Sequence, residues 1–194
     1  MRRKVFDVLT SAGGALVAVV LVVAGALLMW GASFTSSSVH SQLVQQEIFF
    51  PPASAFAHAK AGTEITPGMK PYLLQYAGQQ LTTGPQAEAY ADHFIAVHLS
   101  EMPYGGVYAK ISSAARNNPK DTALAALEQT SFQGTTLRGL LLEAYAFSVF
   151  GEIALWAGIA AFILAVIMAV LVGFGFWHAR RTSTEAELLV AGTA

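Results

Sequence analysis

Hydrophobic and polar positions segregate along this chain into two uninterrupted apolar runs that bracket a mixed middle. Residues 12–30 read "AGGALVAVVLVVAGALLMW", nineteen positions without a charge, and residues 153–177 read "IALWAGIAAFILAVIMAVLVGFGFW", twenty-five more. At 1.5 Å per residue, each run crosses a hydrocarbon core of about 30 Å as a single helix. The pattern predicts two transmembrane helices, at residues 12–30 and 151–177.

The middle shows helical spacing throughout. Residues 33–46, "SFTSSSVHSQLVQQ", are polar with Val39 and Leu43 four apart, which suits a helical stalk or a short extended lead. The Pro-Pro pair in "FFPPASAF" (49–56) predicts an extended turn, its phenylalanines packing under the domain or touching lipid. Four helices follow, over about residues 71–81, 84–102, 107–117 and 119–131. Thr83 or Gly84 is placed to cap the second, with Pro85 in its first turn. From Gly134 on, no proline interrupts the chain, and one helix is expected to continue into the second apolar run. No alternating strand pattern and no internal repeat is present. The expected fold class is an all-α membrane protein in which two transmembrane helices flank a helical domain over residues 31–150.

Charge gives this arrangement an orientation. Arg2, Arg3 and Lys4 precede the first run and Arg180 and Arg181 follow the second, whereas residues 31–38 and 145–152 hold no Lys or Arg. The excess of bases predicts that both termini (1–11 and 178–194) are cytoplasmic and that residues 31–150 are extracytoplasmic, in a cell membrane. Trp30, Trp156 and Trp177 lie near the ends of the runs, where indole rings favour the interface. A cleaved signal peptide is the competing reading of the first run, given its basic start and the "GAS" at 31–33; the run exceeds the roughly 7–15 residues of a signal core, which favours retention. The tail "TSTEAELLVAGTA" (182–194) is expected to be disordered and offers hydroxyls for phosphorylation.

Composition narrows the function classes. Net charge is −1, and residues 31–143 hold six Lys and Arg against eight Asp and Glu, a balance with no nucleic-acid footprint. There is no cysteine, which rules out a disulfide-stapled mini-scaffold. No cofactor fingerprint appears: neither a phosphate loop, nor a dinucleotide motif, nor a Gly-x-Ser-x-Gly elbow.

The densest candidate chemistry is "QAEAYADHFIAVHLSEM" (86–102), with two histidines and three carboxylates. On a regular helix advancing about 100° per residue, Tyr90, Phe94, Ile95, Val97 and Met102 define an apolar face. His98 falls in the middle of that face and Glu101 about 60° from it, whereas Asp92 and His93 point to solvent. His93 and His98 stand about 140° apart and do not grip one metal, since a same-face pair needs a spacing of four. Two readings of His98 and Glu101 stay open. They form a buried polar couple that fixes packing or meets a partner, or they are two metal ligands completed from elsewhere, with His40 and His58 as candidates. A catalytic site needs about three protein ligands, so the pair alone is weak evidence.

The apolar runs carry a packing signal. Ala157, Ala161, Ala165, Ala169 and Gly173 recur every four residues, and Gly14, Ala18 and Ala26 repeat the spacing in the first run. Small residues let helix backbones approach, so this ridge is a candidate contact with the other span, a second copy or another membrane protein. Glu152, just outside the second run, is expected to reach into the interface.

The blocks "TTGPQAEAYADHFIAVHL" (82–99), "YGGVYAKIS" (104–112) and "LRGLLLEAYAF" (137–147) resemble a family of small actinobacterial membrane proteins with two spans and an extracytoplasmic segment between them. The resemblance covers most of residues 40–175, and "TTGPQAEAYAD" is its most specific part. Members go by hypothetical membrane protein or aromatic ring-opening dioxygenase. In the family, Gly-Gly is commonly followed by Lys-Thr-Tyr-Ala-Glu; here Val107, Tyr108, Ala109 and Lys110 stand instead. The resemblance implies topology and location, without an established activity. A non-haem iron dioxygenase needs roughly two histidines and a carboxylate converging, which the faces of this helix do not supply.

The functional expectation is a non-enzymatic interaction or accessory subunit of a membrane or envelope complex, with the lipid bilayer, a homo-oligomer or a larger membrane assembly as partners and no cofactor. The alternatives are a metal-dependent enzyme around His98 and Glu101, and a domain that binds lipid or a small ligand on apolar helix faces near "FFPP".

Overall fold

A computed structural model describes residues 3–182. The tail from residue 183 on, and with it the expectation of disorder and phosphorylation there, lies outside the described residues. All regular structure among them is helical. Two helices dominate, α1 (Arg3–Gln45) and α7 (Thr122–Arg181), and both are long and apolar enough to cross a membrane. The chain divides into two compact units, residues 34–150 and the two flanking segments 1–33 and 151–194.

In the flanking unit, α1 and α7 meet along a seam of small residues. On α7 the positions turned away from solvent are Gly151, Gly158, Ala165, Val172 and Ala179, seven apart, with Ala154, Ala161, Met168 and Gly175 between them. On α1, Ser11, Ala18 and Gly25 keep the same interval, with Gly14, Leu21 and Leu28 between. A seven-residue repeat holds one stripe against a partner helix, and small side chains let the backbones close. A Cβ on Gly158 would lie 3.2 Å from the Gly25 carbonyl oxygen, and one on Gly14 would lie 2.9 Å from Val172.

The expected ridge lies only partly in this seam. A spacing of four advances about 400° per step, so sixteen residues rotate the stripe by roughly 160°. Ala161 and Ala165 are buried in the seam and Gly14 and Ala18 half-buried beside it, whereas Ala157, Ala169 and Gly173 are exposed.

In the unit of residues 34–150, the core gathers Val39 and Leu43 of α1, Leu141 of α7 and the short elements between them. The segment 33–46 is the continuation of α1, a helix and not an extended lead. Pro51 and Pro52 are extended as expected, but Pro52 then starts a short helix, α2 (Ala53–Ala57). Phe50 and Phe56 enter the core at 2% exposure, while Phe49 stays on the surface. The helix expected at 71–81 is shorter. A 3-10 turn at Pro67–Met69, α3 (Lys70–Leu73) and a second 3-10 turn at Leu74–Tyr76 replace it. Gly78, at φ +72°, ends the run, and residues 79–81 then pair with 48–50 through Phe50 N–H to Gln79 O and Leu81 N–H to Ile48 O.

Helix α4 (Gly84–Tyr90) starts where its cap sequence places it. Gln86 N–H donates to Thr83 Oγ1, and Gln86 Oε1 accepts from Thr83 N–H, a reciprocal box that satisfies two end donors. The chain then widens into a π-turn over Ala91–Ile95 before α5 (Ala96–Glu101). Pro103 and three left-handed residues, Tyr104, Gly105 and Gly106, reverse the chain into α6 (Tyr108–Asn117). Asp121 caps α7 by accepting from Leu124 N–H at 2.9 Å. The expected break between Ser131 and Gly134 is absent. Gly134 is a slot for Leu99, whose Cδ2 would lie 2.9 Å from a Cβ there, and the helix runs through.

Candidate functional site

The π-turn rewrites the faces of residues 86–102. One extra residue in a turn delays the helix by about 100°, so positions after Ile95 turn back relative to a regular helix. His98 moves off the centre of the apolar face and is half-buried; Glu101 is exposed. The expected buried couple therefore does not form. His98 bonds within its own helix, its Nδ1–H donating to the Phe94 carbonyl oxygen at 2.7 Å, and its ring lies 4.5 Å from that of Phe94. Its ring joins a chain of aromatic contacts that runs from Phe94 through Tyr90 and Phe50 to Tyr76.

Asp92 and His93, expected in solvent, both have partners. Asp92 Oδ1 accepts from Arg138 Nη2 of α7 at 2.6 Å. Both side chains stay more than a third exposed, and such a pair contributes about 0–1 kcal/mol. His93 stacks flat on Tyr72, with centroids 3.4 Å apart and planes within 5°. Both partners come from distant segments, which the spacing within 86–102 does not reveal. His40 Nδ1–H donates to Thr82 O at 3.2 Å, and His58 is exposed. Among the described residues, no three His, Asp or Glu side chains gather closely enough to hold a metal ion.

Burial, with a smaller contribution from the Glu64 carboxylate, pushes the Tyr90 hydroxyl above its ordinary range. The folded state thus favours the neutral phenol. Its stability contribution is complete below the ordinary tyrosine pKa of about 10 and is lost as pH rises through the raised value.

A groove of about 420 Å³ lies between the parts of α1 and α7 that belong to residues 34–150. Phe34, Leu137, Leu140 and Phe147 give it apolar walls; Ser38, Gln42, Gln46 and Glu143 give it a polar rim. Phe34, Leu140 and Phe147 remain 61%, 58% and 53% exposed, unusually open for side chains of this size. Near "FFPP", Phe50 and Phe56 are buried in the core, while Phe49 stays exposed. Sequence reading misses the groove because its walls lie about a hundred residues apart, and the α1 wall reads as a polar stalk. The exposed phenylalanines at 34 and 147 are its only local signal. Comparison of the chain with protein-family models, with curated proteins and with solved structures finds no match.

Proposed function

We propose that this protein is a two-span membrane protein with both termini in the cytoplasm, whose extracytoplasmic helical domain is a non-enzymatic interaction subunit of a membrane or envelope complex. One observation carries the reading: outside their seam, both long helices expose large apolar side chains along their length. Leu16, Val19, Leu27, Ile163, Val166 and Phe174 are each 57–66% exposed. Only 6% and 11% of the most apolar stretches of α1 and α7 are buried, whereas the core helix of a soluble protein is mostly covered. Lipid is the solvent that makes such a surface stable.

The orientation rests on the bases at the outer ends of the two runs. The interaction role rests on what the seam leaves over. Ala169 and Gly173, four residues apart, face outward on α7, where a further helix can approach closely. Membership of the actinobacterial two-span family belongs to the same proposal. Gentle extraction from the native membrane followed by native mass measurement tests it. The expected result is a discrete species heavier than the 20.5 kDa chain, either a homo-oligomer or a mixed complex. A monomer alone, across several mild detergents, contradicts the interaction role.

A further inference from the structure

We propose that the inner ends of α1 and α7, near residues 4–11 and 175–182, together bind the head group of an anionic phospholipid; the inference rests on the two-span reading.

The register of the seam gathers the basic residues. A Cβ on Gly14 would meet Val172, one on Gly175 would meet Ser11, and His178 Nε2 lies 3.9 Å from Asp7 Oδ2. Numbers on α1 fall as those on α7 rise, so the two helices run antiparallel. One turn beyond the contact of Asp7 with His178, α1 carries Lys4 and α7 carries Arg181, each on the face of the residue three positions away. Lys4 is half-buried, and Arg181 and its neighbour Arg180 are exposed. Three cations from two helices thus share one end of the seam.

Protein carboxylates do not answer this charge. Asp7 is the one acid within residues 3–11 and 175–182, and it turns into the seam towards His178, its side chain 18% exposed. Neither ion pair among the described residues involves Lys4, Arg180 or Arg181. The next acids, Glu185 and Glu187, belong to the tail outside the described residues.

Depth selects a lipid as the source of the anion. The Arg181 guanidinium lies 4.0 Å over the Trp177 ring. Indole favours the head-group region, so a cation stacked on it is held at the level of the phosphates. Beside this end Val5, Phe6, Leu9 and Phe174 are 45–61% exposed, a surface suited to acyl chains. Guanidinium groups grip phosphate oxygens through paired N–H donors. A zwitterionic head group brings its own ammonium, which three nearby cations repel; an anionic one does not.

Competition between brominated and unlabelled lipid tests the proposal, with single-tryptophan forms of the full chain in mixed vesicles of phosphatidylcholine and phosphatidylglycerol. A form that keeps Trp177, with Trp30→Phe and Trp156→Phe, reports on the inner end. A form that keeps Trp156, with Trp30→Phe and Trp177→Phe, reports on the other end of the same apolar run. At equal fractions of brominated lipid, phosphatidylglycerol is expected to be preferred over phosphatidylcholine at Trp177 by about fivefold, the worth of one basic side chain at an anionic surface. Trp156 is expected to show no preference. Lys4→Gln with Arg180→Gln, which leaves Arg181 on Trp177, is expected to lower the preference by at least about half. Equal quenching of Trp177 by the two brominated lipids overturns the proposal and leaves the two-span reading standing. So does an equal preference at Trp156, or one at Trp177 that survives the double substitution. If neither brominated lipid quenches either indole, the two-span reading fails and takes the proposal with it. Should the double variant misfold by circular dichroism, added salt gives the same discrimination in the unsubstituted form, because screening must weaken a preference set by charge.

Discussion

Gly106→Ala is expected to destabilise the unit of residues 34–150 by roughly 3–4 kcal/mol, against about 1 kcal/mol for Gly105→Ala one position earlier. Both glycines are left-handed, at φ +65° and +66°, where an L side chain costs about 1 kcal/mol. They differ in what a Cβ meets. At Gly105 nothing lies within 4 Å, whereas at Gly106 the new atom collides with the carbonyl of Leu99. That carbonyl is backbone, held by α5, and Leu99 is itself wedged against Gly134 of α7. The Gly106 carbonyl is also engaged, accepting from the fully buried Ser131 Oγ at 2.8 Å. Relief of the collision thus shifts α5 and α7 together. Thermal unfolding of the full chain in detergent, followed by circular dichroism, reads both variants. Equal losses for the two would mean that conformation alone sets the cost and that the contact with Leu99 is loose.

The second large effect is expected in the seam between α1 and α7. Gly158→Leu should cost about 3 kcal/mol and Gly173→Leu less than about 0.5 kcal/mol, although both glycines lie in one apolar run. At Gly158 even a Cβ stands 3.1 Å from Met29 and 3.2 Å from the Gly25 carbonyl oxygen; at Gly173 nothing is within 4 Å. In lipid there is little hydrophobic drive to hold two helices together, so close packing must do it, and a leucine between the backbones removes that packing. Unfolding in detergent mixtures of increasing sodium dodecyl sulfate measures the pair. A larger loss for Gly173→Leu would favour the spacing-of-four ridge over the seven-residue seam. The same variant adds a second reading. If it breaks a native complex without loss of fold, Gly173 lies at a partner contact.

Much of the helical order is legible in the sequence because its signals are local. Thr83, Pro85 and Gln86 mark the start of α4, the Pro103–Gly106 stretch its reversal, and Asp121 the start of α7. Each acts through neighbours within a few residues. The misreadings share a different cause. Gly134 reads as a break, yet the helix runs through it and Leu99, thirty-five residues away, fills the space beside it. A regular helix sets the expected faces of 86–102, and a single π-turn displaces His98 and Glu101. Nothing in "YADHFI" announces that turn, because the partners of its residues, Arg138 and Tyr72, lie on other elements. The small-residue ridge divides between the seam and the open surface for a geometric reason. A period of four and a period of three and a half share two positions, Ala161 and Ala165, and then part.

The central claim is the topology, and the absence of cysteine makes it directly measurable. Single-cysteine forms Lys60→Cys and Lys120→Cys, both at exposed positions of the proposed outer domain, and Ser183→Cys in the tail are treated in intact cells with a membrane-impermeant maleimide. The account predicts that the cysteines of Lys60→Cys and Lys120→Cys are labelled on intact cells and that of Ser183→Cys only after lysis. Labelling of all three alike, or the reverse pattern, would contradict it.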